Sequence, residues 1–235
     1  MIRVRPSDQR GHANHGWLRA KHSFSFADYY DPAEMGWGVL RVINEDRVAP
    51  GMGFGMHGHR DMEIVTYILS GALEHKDSLG NGGVIRRGEV QRMTAGKGIL
   101  HSEFNPSPDE ETHLLQIWIE PALRGTPASY EQQSLAVHEM RGRWRLVASP
   151  DGAEGSTTIG QDARLWASRL VVGQSLDYAL QAGRLAYVQV VSGRLAVNGV
   201  ELSAGDGAKI AEENSLHFAA TEEAEILLFD LPPAH

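Results

Sequence analysis

A chain of 235 residues with 42% hydrophobic residues has enough apolar material for one large domain or two of about a hundred residues each. Its formal charge of −8 argues against broad electrostatic attraction to nucleic acid or anionic membrane, so direct nucleic-acid and membrane partners are not expected. The absence of cysteine excludes disulfides, thiolate metal sites and thiol catalysis. The start of the chain, Met1-Ile-Arg-Val-Arg-Pro, is positive but is followed by no apolar run, so a cytoplasmic protein is the expectation.

Taken in order, residues 1–36 read as irregular, with a short alternating stretch at Ser23-Phe24-Ser25-Phe26 whose phenylalanines would both face inward. Strands are predicted at Trp37–Asn44, at Glu63–Leu69 and, after a turn at Ser70-Gly71, at Ala72–Asp77. Further strands follow at Val84–Arg86, Val90–Met93 and His113–Ile119. Pro121–Pro127 reads as an inter-domain connection, and Glu131–Glu139 fits strand and helix equally. Beyond it come Trp144–Ala148, Ala163–Val172, Leu185–Val191 and Ala224–Asp230, with Asn198-Gly199 as a two-residue hairpin signal. The rhythm is all-β, expected as two tandem antiparallel barrels over 1–121 and 122–235. Tyr67-Ile-Leu-Ser70-Gly71 echoes Val188-Gln-Val-Val-Ser192-Gly193, as internal duplication would produce.

Two stretches carry chemistry: His57-Gly-His59 behind glycines 51, 53 and 55, and His101-Ser-Glu103 behind Gly96 and Gly98. In a strand, residues i and i+2 share a face, so each pair can aim two ligands at one point from two facing strands. A mixed nitrogen and oxygen donor set suits a divalent transition metal. No lysine-serine follows the glycines, which rules out a phosphate loop. The remaining histidines (His12, His15, His22, His75, His113, His138, His217 and His235) are expected to be structural or exposed. The second half lacks the histidine pair and should hold no such metal. Phe54, Met56, Met93, Phe104 and Trp118 are candidates for an apolar pocket, by proximity to the ligands.

Gly51, His57, His59, Glu63 and Gly71, with Gly88, Gly96, His101 and Asn105, resemble the two motifs of the cupin barrels. The spacing of Glu63 and the placement of Glu103 resemble the pirin branch of bicupins, as do Trp17–Phe26, Met93–Glu103 and Gln116-Ile-Trp118. The resemblance implies a bicupin fold and metal ligands at His57, His59, His101 and Glu103, with Glu63 outside the set as a structural or ligand-orienting carboxylate. It implies Fe(II) first, with Mn, Ni, Co or Cu as alternatives. Among pirins the match is to bacterial proteins with quercetin 2,3-dioxygenase activity, whose substrates are a flavonol-like aromatic and O2 and which release carbon monoxide. Four ligands around an octahedral metal leave two positions open, and Glu103 could take a proton from a substrate hydroxyl. Eukaryotic pirins resemble the same site and are linked to transcriptional control. The alternative is therefore an iron-binding, redox-sensing regulator acting through a protein partner.

Overall fold

The protein is described over residues 1–233 of a computed structural model; His235 lies outside the described residues. Among the described residues the regular structure is 22 strands and three single 3-10 turns. The first strands are β1 (Ile2–Arg5), β2 (Gly11–Asn14), β3 (Leu18–His22), β4 (Leu40–Val48), β5 (Gly53–His59) and β6 (Glu63–Ser70). There follow β7 (Ala72–Asp77), β8 (Gly82–Arg86), β9 (Glu89–Thr94), β10 (Ile99–Phe104), β11 (Thr112–Ile119) and β12 (Ser129–Ser134). Next are β13 (Arg145–Ser149), β14 (Thr157–Thr158), β15 (Arg164–Leu170), β16 (Ser175–Ala179) and β17 (Leu185–Ser192). The last are β18 (Arg194–Val197), β19 (Val200–Ser203), β20 (Gly207–Ile210), β21 (Ser215–Ala220) and β22 (Ala224–Leu231). No helix among them is long and apolar enough to cross a membrane.

The chain divides into two all-β units, but not at 121/122. One unit holds Gly11–Leu135 with Thr157–Gln161; the other holds Met1–Arg10, Ala136–Ser156 and Asp162 onward. Three sets of hydrogen bonds explain the difference. Strand β12 pairs with β9, and Lys97 donates to the Thr126 carbonyl, so the proline-rich stretch stays with the first half. Strand β1 pairs with β20, which carries the N-terminus into the second half's sheet. The short segment at 157–161 returns to the first half, where Thr158 N donates to Glu131 and Ala122 N to the Gly160 carbonyl.

In the first unit, sheet β12-β9-β6-β11-β4-β3-β2 packs on sheet β5-β10-β7-β8. Leu18, Val48, Ile68 and Leu114 from the larger sheet meet Leu73 and Ile85 from the smaller, forming one apolar cluster. In the second unit, β20-β17-β22-β15 packs likewise on β16-β21-β18-β19 through Val188, Ile226, Leu195 and Phe218. The duplication shows at the Ser-Gly turns. Gly71 and Gly193 both have φ of 75°, and a side chain at either would strike backbone at Glu111 or Glu223, one residue before β11 or β22. Only glycine fits both the left-handed conformation and the close approach. Asn198 and Gly199 are both left-handed and join Val197 to Val200, as a tight hairpin requires.

The N-terminal 36 residues are more regular than expected. Leu18, Ala20 and His22 point inward from β3 in strict alternation, and β1 and β2 are also paired strands. The stretch Ser23–Phe26 is not a strand, although Phe26 makes an isolated bridge to Tyr29. Glu131–Glu139 resolves into the end of β12 and the start of a 3-10 turn at Val137–Met140.

Candidate metal centre

The four expected ligands lie on β5 and β10, which are not facing strands but hydrogen-bonded neighbours in the smaller sheet. His101 sits opposite His57, and Ile99 opposite His59. Past His101 the register slips: Glu103 pairs with Phe54, so β5 takes three residues where β10 takes two. Such a bulge bends the strand and re-aims side chains. Strict alternation from His57 would turn Phe54 out; the bulge turns it into the cavity and leaves Met56 exposed.

The imidazoles converge. Ring centroids of His57 and His101 are 4.4 Å apart, those of His59 and His101 4.8 Å, and those of His57 and His59 4.9 Å. One donor nitrogen from each lies within 4.8 Å of the other two. A second, overlapping triad joins His101 to Glu103 and to His75, a residue expected to be merely structural or exposed. The four expected ligands are thus divided between two groups that share His101.

The local chemistry fits a metal. His57 Nδ1 donates to the Gly55 carbonyl at 2.7 Å, which leaves the lone pair on Nε2. His101 Nε2 is buried without a hydrogen-bond partner, an arrangement that is costly unless something coordinates it. Burial, then the neighbouring His57, lowers the His59 pKa to about 4; burial and the surrounding histidines lower that of His101 to about 3. Both are therefore neutral, as nitrogen ligands must be. Glu103 is buried, and its Oε1 accepts from Gln116 Nε2 at 2.8 Å. Burial pushes its pKa up to about 7 against the pull of that amide.

These groups line a cavity of about 860 Å³. Of the five apolar candidates, Phe54 and Trp118 face it, together with Trp17, Phe26 and Tyr29. Met93 is instead core, packed with Ile64, Ala95 and Ile99, while Met56 and Phe104 are surface residues. Trp118 packs nearly perpendicular to His59 and to Phe26, with ring centroids 4.9 Å and 5.4 Å away. A buried carboxylate that sequence reasoning passed over, Asp46, also lines the cavity. Burial, with Glu103 and then Glu45 nearby, raises its pKa to about 7. Its only sequence signal was alternation along β4, where it sits two residues from Asn44, also inward.

Glu63 lies outside both triads. It is buried and accepts from Thr94 Oγ1 at 2.7 Å and from the Gly160 amide. Through the Gly160 amide it anchors the returning 157–161 segment. In the second unit the His217 ring bonds Asp177 through Nδ1, and no group of three donors forms there among the described residues.

Comparisons with known proteins agree with this geometry. The Pirin family profile matches residues 3–119, and the profile described as the quercetinase C-terminal cupin domain matches residues 146–231. The quercetin 2,3-dioxygenase of Escherichia coli (strain K12) is 47% identical over 233 residues, spanning 99% of this chain and 100% of the relative. A pirin-like protein of Caulobacter vibrioides is 45% identical over 232 residues, 98% of this chain and 99% of its own. Among solved structures, the bacterial pirin YhhW of Escherichia coli in complex with nickel(II) aligns with a TM-score of 0.95 at 48% identity, covering 99% of this chain and 100% of that one. A two-barrel fold, a histidine-rich centre in its first unit and full-length relatives lead to one assignment: the chain belongs to the pirin family of bicupins.

Proposed function

We propose that this protein is a metal-dependent dioxygenase that cleaves flavonols such as quercetin with O2 and releases carbon monoxide. The observation that carries the reading is the convergence of three imidazoles, with the buried Glu103 grouped beside one of them, on the wall of an aromatic-lined cavity. Its volume falls within the range for drug-sized ligands, and it combines apolar walls with a few polar groups, as such sites do. The names of the E. coli and other relatives support the same chemistry.

His57, His59, His101 and Glu103 would hold the metal, Fe(II) in first place and Ni(II) by analogy with the E. coli pirin complex. When bound, it would supply a Lewis-acidic, redox-capable centre with open positions for substrate and O2. The protein's own residues do the rest. Phe54, Trp17, Phe26 and Trp118 offer flat surfaces that seat a planar phenol and keep water from it. Gln116 fixes one oxygen of Glu103; the other, once it loosens from the metal, would accept the proton of a substrate hydroxyl. The resulting enolate is electron-rich, which is what attack by dioxygen requires.

The test is to load anaerobically purified protein with single metals and measure O2 uptake and carbon monoxide on addition of quercetin. Equal amounts of both gases are expected with at least one metal. Metal-loaded protein without turnover would reject the dioxygenase reading and leave the regulatory one.

A further inference from the structure

Strand β7 lies beside β10 on the edge opposite β5 and carries a third i, i+2 pair of polar residues, His75 and Asp77. In register, Asp77 pairs with His101 and His75 with Glu103. Both β7 side chains are fully enclosed. The His75 ring stacks on Tyr130 at 4.8 Å and 29°, which fixes its plane, and its two nitrogens have different partners. Nε2 meets Asp77 Oδ2 at 2.9 Å, and Nδ1 meets His101 Nδ1 at 3.4 Å.

The proton positions follow from what each partner can do. Asp77 is an acceptor at both oxygens: Oδ1 takes the amides of Leu79 and Asn81, and the Asn81 side chain donates to both. His75 Nε2 must therefore carry a hydrogen, and in the neutral ring Nδ1 is then the lone-pair nitrogen. A lone pair facing His101 Nδ1 demands a hydrogen there. That leaves the His101 lone pair on Nε2, the buried nitrogen with no hydrogen-bond partner among the described residues. We infer that Asp77 and His75 are positioning residues that set the tautomer of His101 and hold its Nε2 ready to bind a metal. Partners of this kind behind a ligating imidazole fix ring orientation and basicity, and their loss lowers metal affinity about 10–100-fold.

The inference rests on His101 being a ligand, and it makes a prediction that a packing role does not. In Asp77→Asn, the Leu79 and Asn81 amides hold the amide oxygen at the Oδ1 position, so the NH2 group faces His75 Nε2. His75 must then shift its hydrogen to Nδ1, His101 must accept there, and the hydrogen moves to His101 Nε2, where it opposes the metal. By contrast His75→Asn, a larger change in volume, still offers an oxygen near the Nδ1 position to accept from His101.

Chelator competition for Co(II) tests this, read together with the Co(II) d–d spectrum, on wild type, Asp77→Asn, His75→Asn, His75→Phe and His101→Ala. Asp77→Asn and His75→Phe should lose affinity about 10–100-fold with altered spectra, and His75→Asn should recover to within about threefold of wild type. Should His75→Phe not fold, the contrast between the two asparagine variants decides the matter alone. Asp77→Asn with wild-type affinity and spectrum, while His101→Ala loses the metal, would overturn the relay. Full metal retention in His101→Ala would instead overturn the ligand set. If His75→Asn drops one nitrogen ligand from the Co(II) spectrum, His75 is itself a ligand and the positioning role is wrong.

Discussion

His57 lies directly opposite His101 in the antiparallel pairing of β5 with β10, their rings 4.4 Å apart. Because they come from hydrogen-bonded neighbours, the rigid ladder fixes their separation, and the bulge one step further along sets where Glu103 and Phe54 point. Metal retention should therefore depend mainly on the imidazoles, with Glu103 contributing one ligand and, as base, deciding turnover.

Glu103→Gln separates these roles. The amide keeps the shape and the contact with Gln116 but cannot take a proton from a substrate hydroxyl. Metal content by elemental analysis should stay near wild type, while kcat with quercetin falls about 100-fold or more. Unchanged turnover would remove Glu103 as the base.

Glu63→Ala tests the carboxylate that belongs to neither donor triad. It leaves Thr94 Oγ1 and the Gly160 amide without their acceptor, at a cost of about 1–3 kcal/mol. Hydrogen exchange should quicken at Gly160, with metal stoichiometry unaltered. Loss of metal in this variant would return Glu63 to the centre.

Asp46 gives the pH dependence. Its pKa in the folded protein is about 7, above its ordinary value of 3.8. The folded state therefore holds this proton more tightly than the unfolded state does. The ionised form costs stability in full above about pH 7, and the cost fades as pH falls towards 4. Asp46→Asn removes it. In urea unfolding of metal-stripped protein, the variant should gain on wild type as pH rises from about 5 to about 8, with a ceiling of about 4 kcal/mol. A gain that grows on acidification would contradict the assignment.

The sequence made the candidate ligands legible because strand alternation encodes them locally: His-x-His and His-x-Glu each declare a shared face. The Ser-Gly turns and the Asn198-Gly199 hairpin were legible for the same reason, since their conformations demand particular residues. The bulge was not: alternation from His57 turns both Phe54 and Met56 outward, and only the slipped register brings Phe54 into the cavity. Pairing of β1 with β20, and the return of 157–161 to the first unit, link residues too distant for local pattern to report. Strand β3 was missed because its inward residues, Leu18, Ala20 and His22, form a weakly apolar alternation. His75 was expected to be structural or exposed, and Asp46 lies past the end of the strand expected at Trp37–Asn44; only their tertiary neighbours place them beside His101 and on the cavity.

The central claim is the ligand set. X-ray absorption fine structure at the metal edge of the loaded protein measures it most directly, with His101→Ala as the comparison. Three imidazole nitrogens and one carboxylate oxygen are expected in wild type, with most of the metal lost from the variant. Fewer than three imidazoles in wild type, or a His101→Ala protein with full metal occupancy and an unchanged spectrum, would contradict the account.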